Sequence, residues 1–277
     1  MRSREVVART WVGFLYVAYV TLRLVLRILL GRKRRSRVQN ALGLHYNYGY
    51  AVKFGGIYGW EPHVRKIVKK VLNRGRVFID VGAFTGLYTI YAYEILRKKP
   101  DFKIIAVEPF PNNYRILENK INKIGNENIH LIKEAIWTTD DSFVEFYVEG
   151  LSNSNGTSMF GRVSLTKRHA ILGGCHGETV RVRTVRLDTL IKRFRLECVD
   201  LVKMDVEGAE YEILTDPTLD LSNVQNIIVE IHYRYGSRES TEILRALARS
   251  GFKLVPLYPD PKLNNYHLFA CRSLFSW

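Results

Sequence analysis

From about residue 61 onward, the hydrophobic positions of the chain follow two periods in turn. Short apolar runs rich in β-favouring residues alternate with stretches in which apolar residues recur every three or four positions. The runs predict strands at Val77–Val81, Lys103–Glu108, Ile129–Lys133, Val199–Met204, Asn226–Ile231, Phe252–Tyr258 and Tyr266–Cys271. The periodic stretches predict helices at Glu61–Leu72, Leu87–Arg97, Asn112–Ile124, Leu187–Arg195, Gly208–Leu214 and Ser240–Arg249. This rhythm indicates an α/β fold, with a mostly parallel sheet covered by helices on both faces and an antiparallel closing pair of strands.

One polar stretch interrupts the alternation. Ser152–Gly177 is rich in Ser, Asn and Gly, and predicted strands flank it at Phe143–Val148 and Thr179–Thr184. A long insertion in a compact domain is more often a functional lid or substrate loop than part of the core. We therefore predict a polar insertion at about residues 150–178.

The N-terminal segment has a different pattern. Trp11–Leu30 is an apolar run interrupted by Arg23 and Arg27, and a basic cluster follows at residues 32–37. As a helix this run would be about 30 Å long, enough to cross a bilayer core, although the two arginines also suit a helix lying in the interface. We predict a hydrophobic, amphipathic helix within residues 1–38 that contacts a membrane surface. The alternative is an amphipathic helix packed on the domain or on a partner.

Charge and length refine this division. The chain has 277 residues and a formal net charge of +15, of which residues 1–38 contribute +9 and the remainder +6. With 47% hydrophobic residues the chain can build one large α/β domain or two small ones. We predict residues 39–277 as one domain, and the positive-inside rule places it on the cytoplasmic side of a membrane-associated protein. Three widely separated cysteines indicate neither a disulfide framework nor a zinc site.

The turn after Val77–Val81 carries the first candidate site. Gly82 and Gly86 let the backbone turn sharply and approach a ligand at a helix N-terminus. Asp80, at the end of the strand, can accept hydrogen bonds from an amine or a hydroxyl. Phe84 stands where the dinucleotide-binding pattern has its middle glycine, which disfavours a nicotinamide-dependent oxidoreductase.

A second acid ends the next strand. Glu108 can accept hydrogen bonds from both hydroxyls of a ribose, a role shared by nicotinamide and S-adenosylmethionine folds. The following Pro109-Phe110-Pro111 forms a stiff, apolar shelf that suits an adenine face. The alternative for Glu108 is an acid that only caps a helix N-terminus.

Four motifs carry a resemblance to a known family. They are Phe78–Thr89 (FIDVGAFTGLYT), Val107–Asn113 (VEPFPNN), Leu201–Glu210 (LVKMDVEGAE) and Val229–His232 (VEIH). In this order and spacing, over roughly residues 58–271, the chain resembles the FkbM family of S-adenosylmethionine-dependent methyltransferases.

The resemblance implies a Rossmann-like, seven-stranded class I methyltransferase sheet that binds S-adenosylmethionine at the carboxyl ends of its first strands. Asp80, Gly82 and Gly86, with Ala83 and Thr85 of the same turn, would hold the methionine part. Glu108 would hold the ribose, Pro109 would belong to the shelf under the adenine face, and Glu134 with Ala135 would lie at the adenine edge.

Catalytic candidates lie at the ends of two later strands. Lys203, Asp205 and Glu207 end the fourth strand, and Glu230 and His232 share one face of the fifth. We predict His232 as general base with Asp205 and Lys203 as catalytic partners. The alternative is a divalent cation such as Mg²⁺, held by Asp205, Glu207 and Glu230. Glu207 could instead charge a helix N-terminus, and Lys203 with Glu230 could be a structural pair.

These observations predict an S-adenosylmethionine-dependent methyltransferase that acts on a hydroxyl of a glycan, glycolipid or related small acceptor. The acceptor class follows from the resemblance and from the basic, hydrophobic N-terminus. A nucleic-acid methyltransferase is the runner-up because of the high positive charge. The acidic candidate site would repel phosphates, so we expect no specific nucleic-acid partner. A non-catalytic donor-binding or membrane-tethered module is the remaining alternative.

Overall fold

The computed structural model describes residues 61–148, 163–164, 178–257 and 265–273. The predicted N-terminal helix and most of the polar insertion lie outside these residues. The chain divides into two compact units, Met1–Arg65 and Lys66–Trp277. The predicted domain boundary at residues 38 and 39 stays a prediction.

The described residues contain six helices and eleven strands. The helices are α1 Pro62–Leu72, α2 Leu87–Leu96, α3 Pro111–Ile124, α4 Leu187–Arg193, α5 Glu210–Thr215 and α6 Arg238–Arg249. The strands are β1 Val77–Val81, β2 Lys103–Val107, β3 Ile129–Ile132, β4 Ala135–Ile136, β5 Phe143–Val148, β6 Val163–Ser164, β7 Glu178–Val185, β8 Leu201–Met204, β9 Asn226–Ile231, β10 Lys253–Leu257 and β11 Tyr266–Cys271. Most predicted elements are confirmed within two residues at each end.

Seven of the described strands form the main sheet, in the order β10-β11-β9-β8-β1-β2-β3. The pairs among β3, β2, β1, β8 and β9 are parallel, whereas β11 is antiparallel to both β9 and β10. The predicted seven-stranded α/β class and its antiparallel closing pair are thus confirmed. The strand order reverses between β1 and β8, and such a switch point opens a crevice at the carboxyl ends of the strands.

The core explains why the central strands are continuous apolar runs. Four of the five β1 residues are buried, as are all four residues of β8. Parallel strands covered by helices on both faces need apolar side chains at successive positions, not at alternate ones. Leu190 of α4 and Leu247 of α6 are fully buried in the same cluster as β1 and β8. Each such side chain stabilises the fold by about 1.5–3 kcal/mol relative to an exposed position.

A second, four-stranded sheet in the described residues has the order β4-β7-β5-β6. β5 and β7 were predicted as strands, but their separation from the main sheet was not. β4 follows β3 after only two residues and pairs with β7 in parallel. A two-residue strand is too short for any periodicity to reveal, which is why the sequence did not predict it.

The predicted localisation is contradicted. Among the described residues, no helix combines the length and the apolar character needed to cross a bilayer. The prediction of a membrane-associated protein whose domain faces the cytoplasm is therefore withdrawn. The apolar run Trp11–Leu30 that prompted it lies outside the described residues.

Candidate active site

The turn after β1 lies directly against the segment that follows β8. The Asp205 N–H donates to the Val81 carbonyl at 3.0 Å, and Gly82 has a φ of 73°. A Cβ at Gly82 would lie 1.8 Å from the carbonyl oxygen of Asp205. Only glycine permits this approach, so Gly82 brings the two predicted sites together. Gly82 and Ala83 both donate their N–H groups to the Val107 carbonyl, which fixes the turn to the end of β2.

Asp80 is a buried carboxylate near the end of β1, two residues before Gly82. Its Oδ2 accepts a 2.6 Å hydrogen bond from the Thr89 hydroxyl, and 1% of the residue is exposed. Its Oδ1 is also buried and has no hydrogen-bond partner among the described residues. Burial raises the pKa of Asp80, and the nearby Lys203 ammonium opposes that rise. A buried acceptor without a donor is costly, so this oxygen suits a ligand that brings an ammonium or hydroxyl group.

Glu108 connects the turns after β1 and β2. Its Oε2 accepts the Phe84 N–H at 2.7 Å, and its Oε1 accepts the Phe110 N–H at 2.9 Å and the Asn113 amide at 3.4 Å. Burial raises the pKa of Glu108 to about 7, although these hydrogen bonds act in the opposite direction. Phe84 has a φ of 52°, and 38% of it is exposed. Each carboxylate oxygen has two lone pairs, so Glu108 keeps accepting capacity for a ribose.

The other residues that were predicted to bind S-adenosylmethionine have varied surroundings. Thr85 is buried, and its carbonyl accepts a 2.6 Å bond from Lys120 of α3. Ala135 is buried in β4, whereas the Glu134 carboxylate accepts a 2.6 Å bond from Arg193. The assignment of Glu134 and Ala135 to the adenine edge stays a prediction. The hydrogen bond from Arg193 already occupies one carboxylate oxygen of Glu134. Pro109 is partly buried between Glu108 and the start of α3.

Lys203 lies between the carboxylates of Asp80 and Asp205. It is the direct neighbour of Asp80 across β1 and β8, and its Nζ donates to Asp205 Oδ2 at 3.1 Å. The same Nζ is 5.0 Å from the centroid of the Tyr88 ring. Burial would raise the pKa of Asp205, but Lys203 and His232 lower it below the ordinary value. Lys203 thus stabilises the ionised form of Asp205.

His232, just beyond β9, faces four carboxylates, and one of them is Glu230, whose Oε1 is 3.8 Å from His232 Nε2. Its Nδ1 is 2.9 Å from Glu210 Oε1, and its Nε2 is 3.4 Å from Glu207 Oε2 and 4.0 Å from Asp205 Oδ1. Burial alone would lower the pKa of His232, but Glu210, Asp205 and Glu207 raise it well above the ordinary value. The structure therefore brings together His232, Asp205 and Lys203, the three predicted catalytic residues.

Glu210 is a site residue that the sequence reasoning did not single out. It is fully buried, and its Oε1 accepts the Val206 and Gly208 N–H groups as well as facing the His232 ring. From the sequence it looks like an ordinary acid in the first turn of a helix. The predicted helix at Gly208–Leu214 begins only at Glu210, because Glu207 and Gly208 have φ values of 52° and 102°.

Glu230 is less well placed for a metal than the sequence suggested. Its Oε1 accepts a 2.7 Å bond from the Asn265 amide, and its Oε2 is 3.6 Å from His267 Nε2. Among the described residues of Lys66–Trp277, the side chains whose possible ligand atoms converge are Asp205, Glu207 and His232. The predicted metal set of Asp205, Glu207 and Glu230 stays a prediction. In the structure, the side chain whose ligand atoms lie near those of Asp205 and Glu207 in this set is His232, not Glu230.

Comparison with known protein families covers the same part of the chain. The family model described as the methyltransferase FkbM domain matches residues 80–254. The match begins at Asp80 and includes the turn after β1, Glu108 and the cluster around His232. It covers more than half of the chain.

Three relatives among the known proteins are similar over different lengths. "Methyltransferase 1" of Beauveria bassiana is 27% identical over 207 residues, which is 70% of this chain and 80% of that protein. The "AMB antimetabolite synthetase AmbE" of Pseudomonas aeruginosa is 27% identical over 233 residues, 73% of this chain but only 10% of that protein. The "Hexuronic acid methyltransferase AglP" of Haloferax volcanii is 30% identical over 95 residues, 34% of this chain and 39% of that protein.

Proposed function

This chain belongs to the FkbM methyltransferase family, and from that premise we propose that it transfers the methyl group of S-adenosylmethionine to a hydroxyl oxygen. The acceptor class that we propose is a glycan, a glycolipid or a related small molecule. The observation that carries the proposal is the pairing of two half-sites, held together where Gly82 meets the Asp205 carbonyl at the switch point of the sheet. One half is suited to the donor and the other to removal of a proton.

The donor half consists of Asp80 and Glu108 at the ends of adjacent strands. The unpartnered Oδ1 of Asp80 suits the ammonium group of the methionine part. Glu108, held by the Phe84 and Phe110 N–H groups, is oriented to accept the two ribose hydroxyls. When bound, S-adenosylmethionine supplies the methyl group on a sulfonium, which is already a good leaving group.

The acceptor half consists of Asp205, Glu207 and His232. With a good leaving group, the main requirements are in-line positioning of the acceptor oxygen and removal of its proton. The acceptor oxygen bonds to the methyl carbon, the bond from carbon to sulfur breaks with its electron pair left on sulfur, and the hydroxyl proton leaves toward this cluster. Lys203 keeps Asp205 ionised and oriented between the two halves.

The chemistry of the cluster favours a hydroxylated acceptor over nucleic acid. The carboxylates around His232 would repel a phosphate backbone, whereas they are acceptors for sugar hydroxyls. The name of the Haloferax relative, a hexuronic acid methyltransferase, is consistent with a sugar acceptor, although its similarity covers only a third of this chain.

Binding measurements with the full chain test the donor half. We expect calorimetric titration to show binding of S-adenosylhomocysteine, the demethylated product, and no binding of NAD. Asp80→Asn and Glu108→Ala should each weaken that binding by about tenfold or more, since each removes a charge-assisted hydrogen bond. Glu197→Gln is the matched control, because this exposed carboxylate precedes β8 and so lies toward the opposite end of the parallel strands. Failure of the wild-type protein to bind S-adenosylhomocysteine would refute the methyltransferase proposal, and NAD binding would favour an oxidoreductase.

A further inference from the structure

Three side chains at the carboxyl ends of β8 and β9 offer ligand atoms that all lie within 4.8 Å of one another. They belong to Asp205, Glu207 and His232. The His232 Nε2 is 3.4 Å from Glu207 Oε2 and 4.0 Å from Asp205 Oδ1. Atoms that bind one divalent ion at about 2.0–2.2 Å lie roughly 3–4 Å from one another. The three atoms therefore surround a point that one cation can fill.

We propose that Asp205, Glu207 and His232 bind a divalent first-row transition-metal ion, of the Mn²⁺ or Zn²⁺ type. This ligand set differs from the all-carboxylate set that the sequence predicted, and so does the class of metal.

The first independent support comes from Glu210, which lies outside the ligand set. Its fully buried carboxylate faces His232 Nδ1 at 2.9 Å, which leaves Nε2 directed at Asp205 and Glu207. Metal-binding histidines almost always donate their second ring N–H to a carboxylate or carbonyl in this way. Glu210 also accepts the Val206 and Gly208 N–H groups on either side of Glu207. One buried carboxylate thus orients two of the three ligands.

The second support comes from Asp205. One of its oxygens, Oδ2, accepts the Lys203 ammonium at 3.1 Å. The other, Oδ1, is buried and has no hydrogen-bond partner in the part of the chain that the structure describes. A buried carboxylate oxygen without a donor is costly unless a cation or another ligand compensates it. That oxygen is the one that faces His232.

Glu230 does not fit the ligand set as well, although its Oε1 is 3.8 Å from His232 Nε2. That same oxygen is held by the Asn265 amide at 2.7 Å, and the other lies beside His267 on the neighbouring strand. Ligation by Glu230 would require it to leave these contacts. We therefore assign Glu230 to the support of the strand ends, not to the metal.

The donor atoms indicate the class of ion. One imidazole nitrogen with two carboxylates suits Mn²⁺, Fe²⁺, Co²⁺ or Zn²⁺, whereas Mg²⁺ and Ca²⁺ prefer oxygen ligands alone. Glu207 lies at the open edge, with 55% of its side chain exposed, so an acceptor can reach the site from solvent. The assigned role of the ion rests on the proposed function: it would bind the acceptor hydroxyl and make its proton easier to lose. With Asp205, Glu207 and His232 acting as ligands, water at this open edge would take the proton in place of the cluster.

Metal titration of the full chain, stripped with a chelator, tests the assignment. Calorimetry with MnCl₂, ZnCl₂ and MgCl₂, and loss of the spin-resonance signal of free Mn²⁺, report binding without any need for activity. We expect one Mn²⁺ or Zn²⁺ per chain, with Mg²⁺ at least about tenfold weaker. Absence of Mn²⁺ and Zn²⁺ binding, or equally tight Mg²⁺ binding, would overturn the proposal.

Variants separate the two ligand sets. His232→Ala and Glu207→Gln should each weaken Mn²⁺ binding by more than about tenfold, and Glu210→Gln by about 10–100-fold. Glu230→Gln and the remote Glu197→Gln should leave it within about threefold. A loss at Glu230→Gln together with retention at His232→Ala would replace our assignment with the all-carboxylate set. Glu207 is the most exposed ligand, so its variant stays informative if a buried substitution prevents folding.

The same protein samples distinguish this inference from the proposed function. S-adenosylhomocysteine binding is measured on every variant alongside metal binding. Donor binding without metal binding would refute the metal site and leave the methyltransferase proposal standing. Metal binding without donor binding would refute the proposed function and leave the metal site standing.

Discussion

Glu108 combines two tasks in a single buried side chain. It accepts backbone N–H groups from the turns after β1 and β2, which fixes their relative position. In the proposed function it also accepts the ribose hydroxyls of the donor. Burial keeps its pKa at about 7, so its charge changes in the range where most enzymes work. As a consequence, the affinity of the proposed donor site depends on pH.

We predict this dependence for 5′-methylthioadenosine, which carries the adenosine part of the donor without its amino and carboxyl groups. The ionised carboxylate accepts both hydroxyls, so below about pH 7 a proton must leave Glu108 before the ligand binds fully. Affinity should therefore rise with pH up to about 7, by as much as about tenfold per pH unit, and level off above it. Calorimetry between about pH 5.5 and 8.5 measures this. A flat profile would contradict the assignment, and Glu108→Ala, with weak and pH-independent binding, is the control.

At the scale of elements, the approach of two turns defines the site. The turn after β1 and the segment after β8 meet where the strand order reverses, and Gly82 is the residue that allows the contact. Its φ of 73° lies in the left-handed region, and the Asp205 carbonyl occupies the space of a Cβ. Gly236 has a similar φ of 82°, but nothing lies within 4 Å of its Cβ position. Alanine variants at these two glycines therefore distinguish the cost of the left-handed conformation from the cost of the steric clash with the Asp205 carbonyl.

We predict that Gly236→Ala lowers the free energy of unfolding by about 1–2 kcal/mol, the cost of a left-handed alanine. Gly82→Ala carries the same cost and must also push the β1 and β8 segments apart. We expect a loss of at least about 3 kcal/mol in urea unfolding, and loss of S-adenosylhomocysteine binding. Equal losses for the two variants would show that the close approach at Gly82 contributes little to stability.

At the scale of the whole described domain, Arg186 links the end of the second sheet to α4 and to the segment after α5. It follows β7, and its guanidinium donates to Asp188 at 3.0 Å, to Asp216 at 2.7 Å and to the Thr138 carbonyl at 2.7 Å. The ion-paired side chains of Arg186, Asp188 and Asp216 are 10–15% exposed. Removing one member of a buried ion pair leaves an uncompensated charge, which costs more than the pair contributes.

We predict that Arg186→Leu lowers the free energy of unfolding by about 3–5 kcal/mol, measured by urea denaturation. Arg183→Leu, three residues earlier and within β7, is the matched control. Its side chain is 58% exposed and its pair with Asp141 is at the surface, so we expect a much smaller loss than for Arg186→Leu. A small loss at Arg186 would mean that its ion pairs contribute little to the attachment of the second sheet to α4 and α5.

The sequence by itself determined the order of elements and the α/β class, and it indicated the residues of the proposed donor half of the site. Asp80 and Glu108 were recognisable because strand, glycine turn and helix follow one another locally, and the family motifs extend over these same residues. The predicted localisation went wrong because it relied on one apolar segment, Trp11–Leu30, without a structural context.

Only the tertiary structure decided which acidic groups act together. Glu210 and His232 are 22 residues apart, and their 2.9 Å contact exists because β8 and β9 are adjacent in the sheet. The same adjacency gives His232 its place opposite Asp205 and Glu207, while the antiparallel return of β11 draws Glu230 toward His267. The second sheet likewise depends on pairing across the polar insertion, from β5 to β7. Local residue patterns report which side chains end a strand, but the distances between strand ends arise only when distant segments pack against one another.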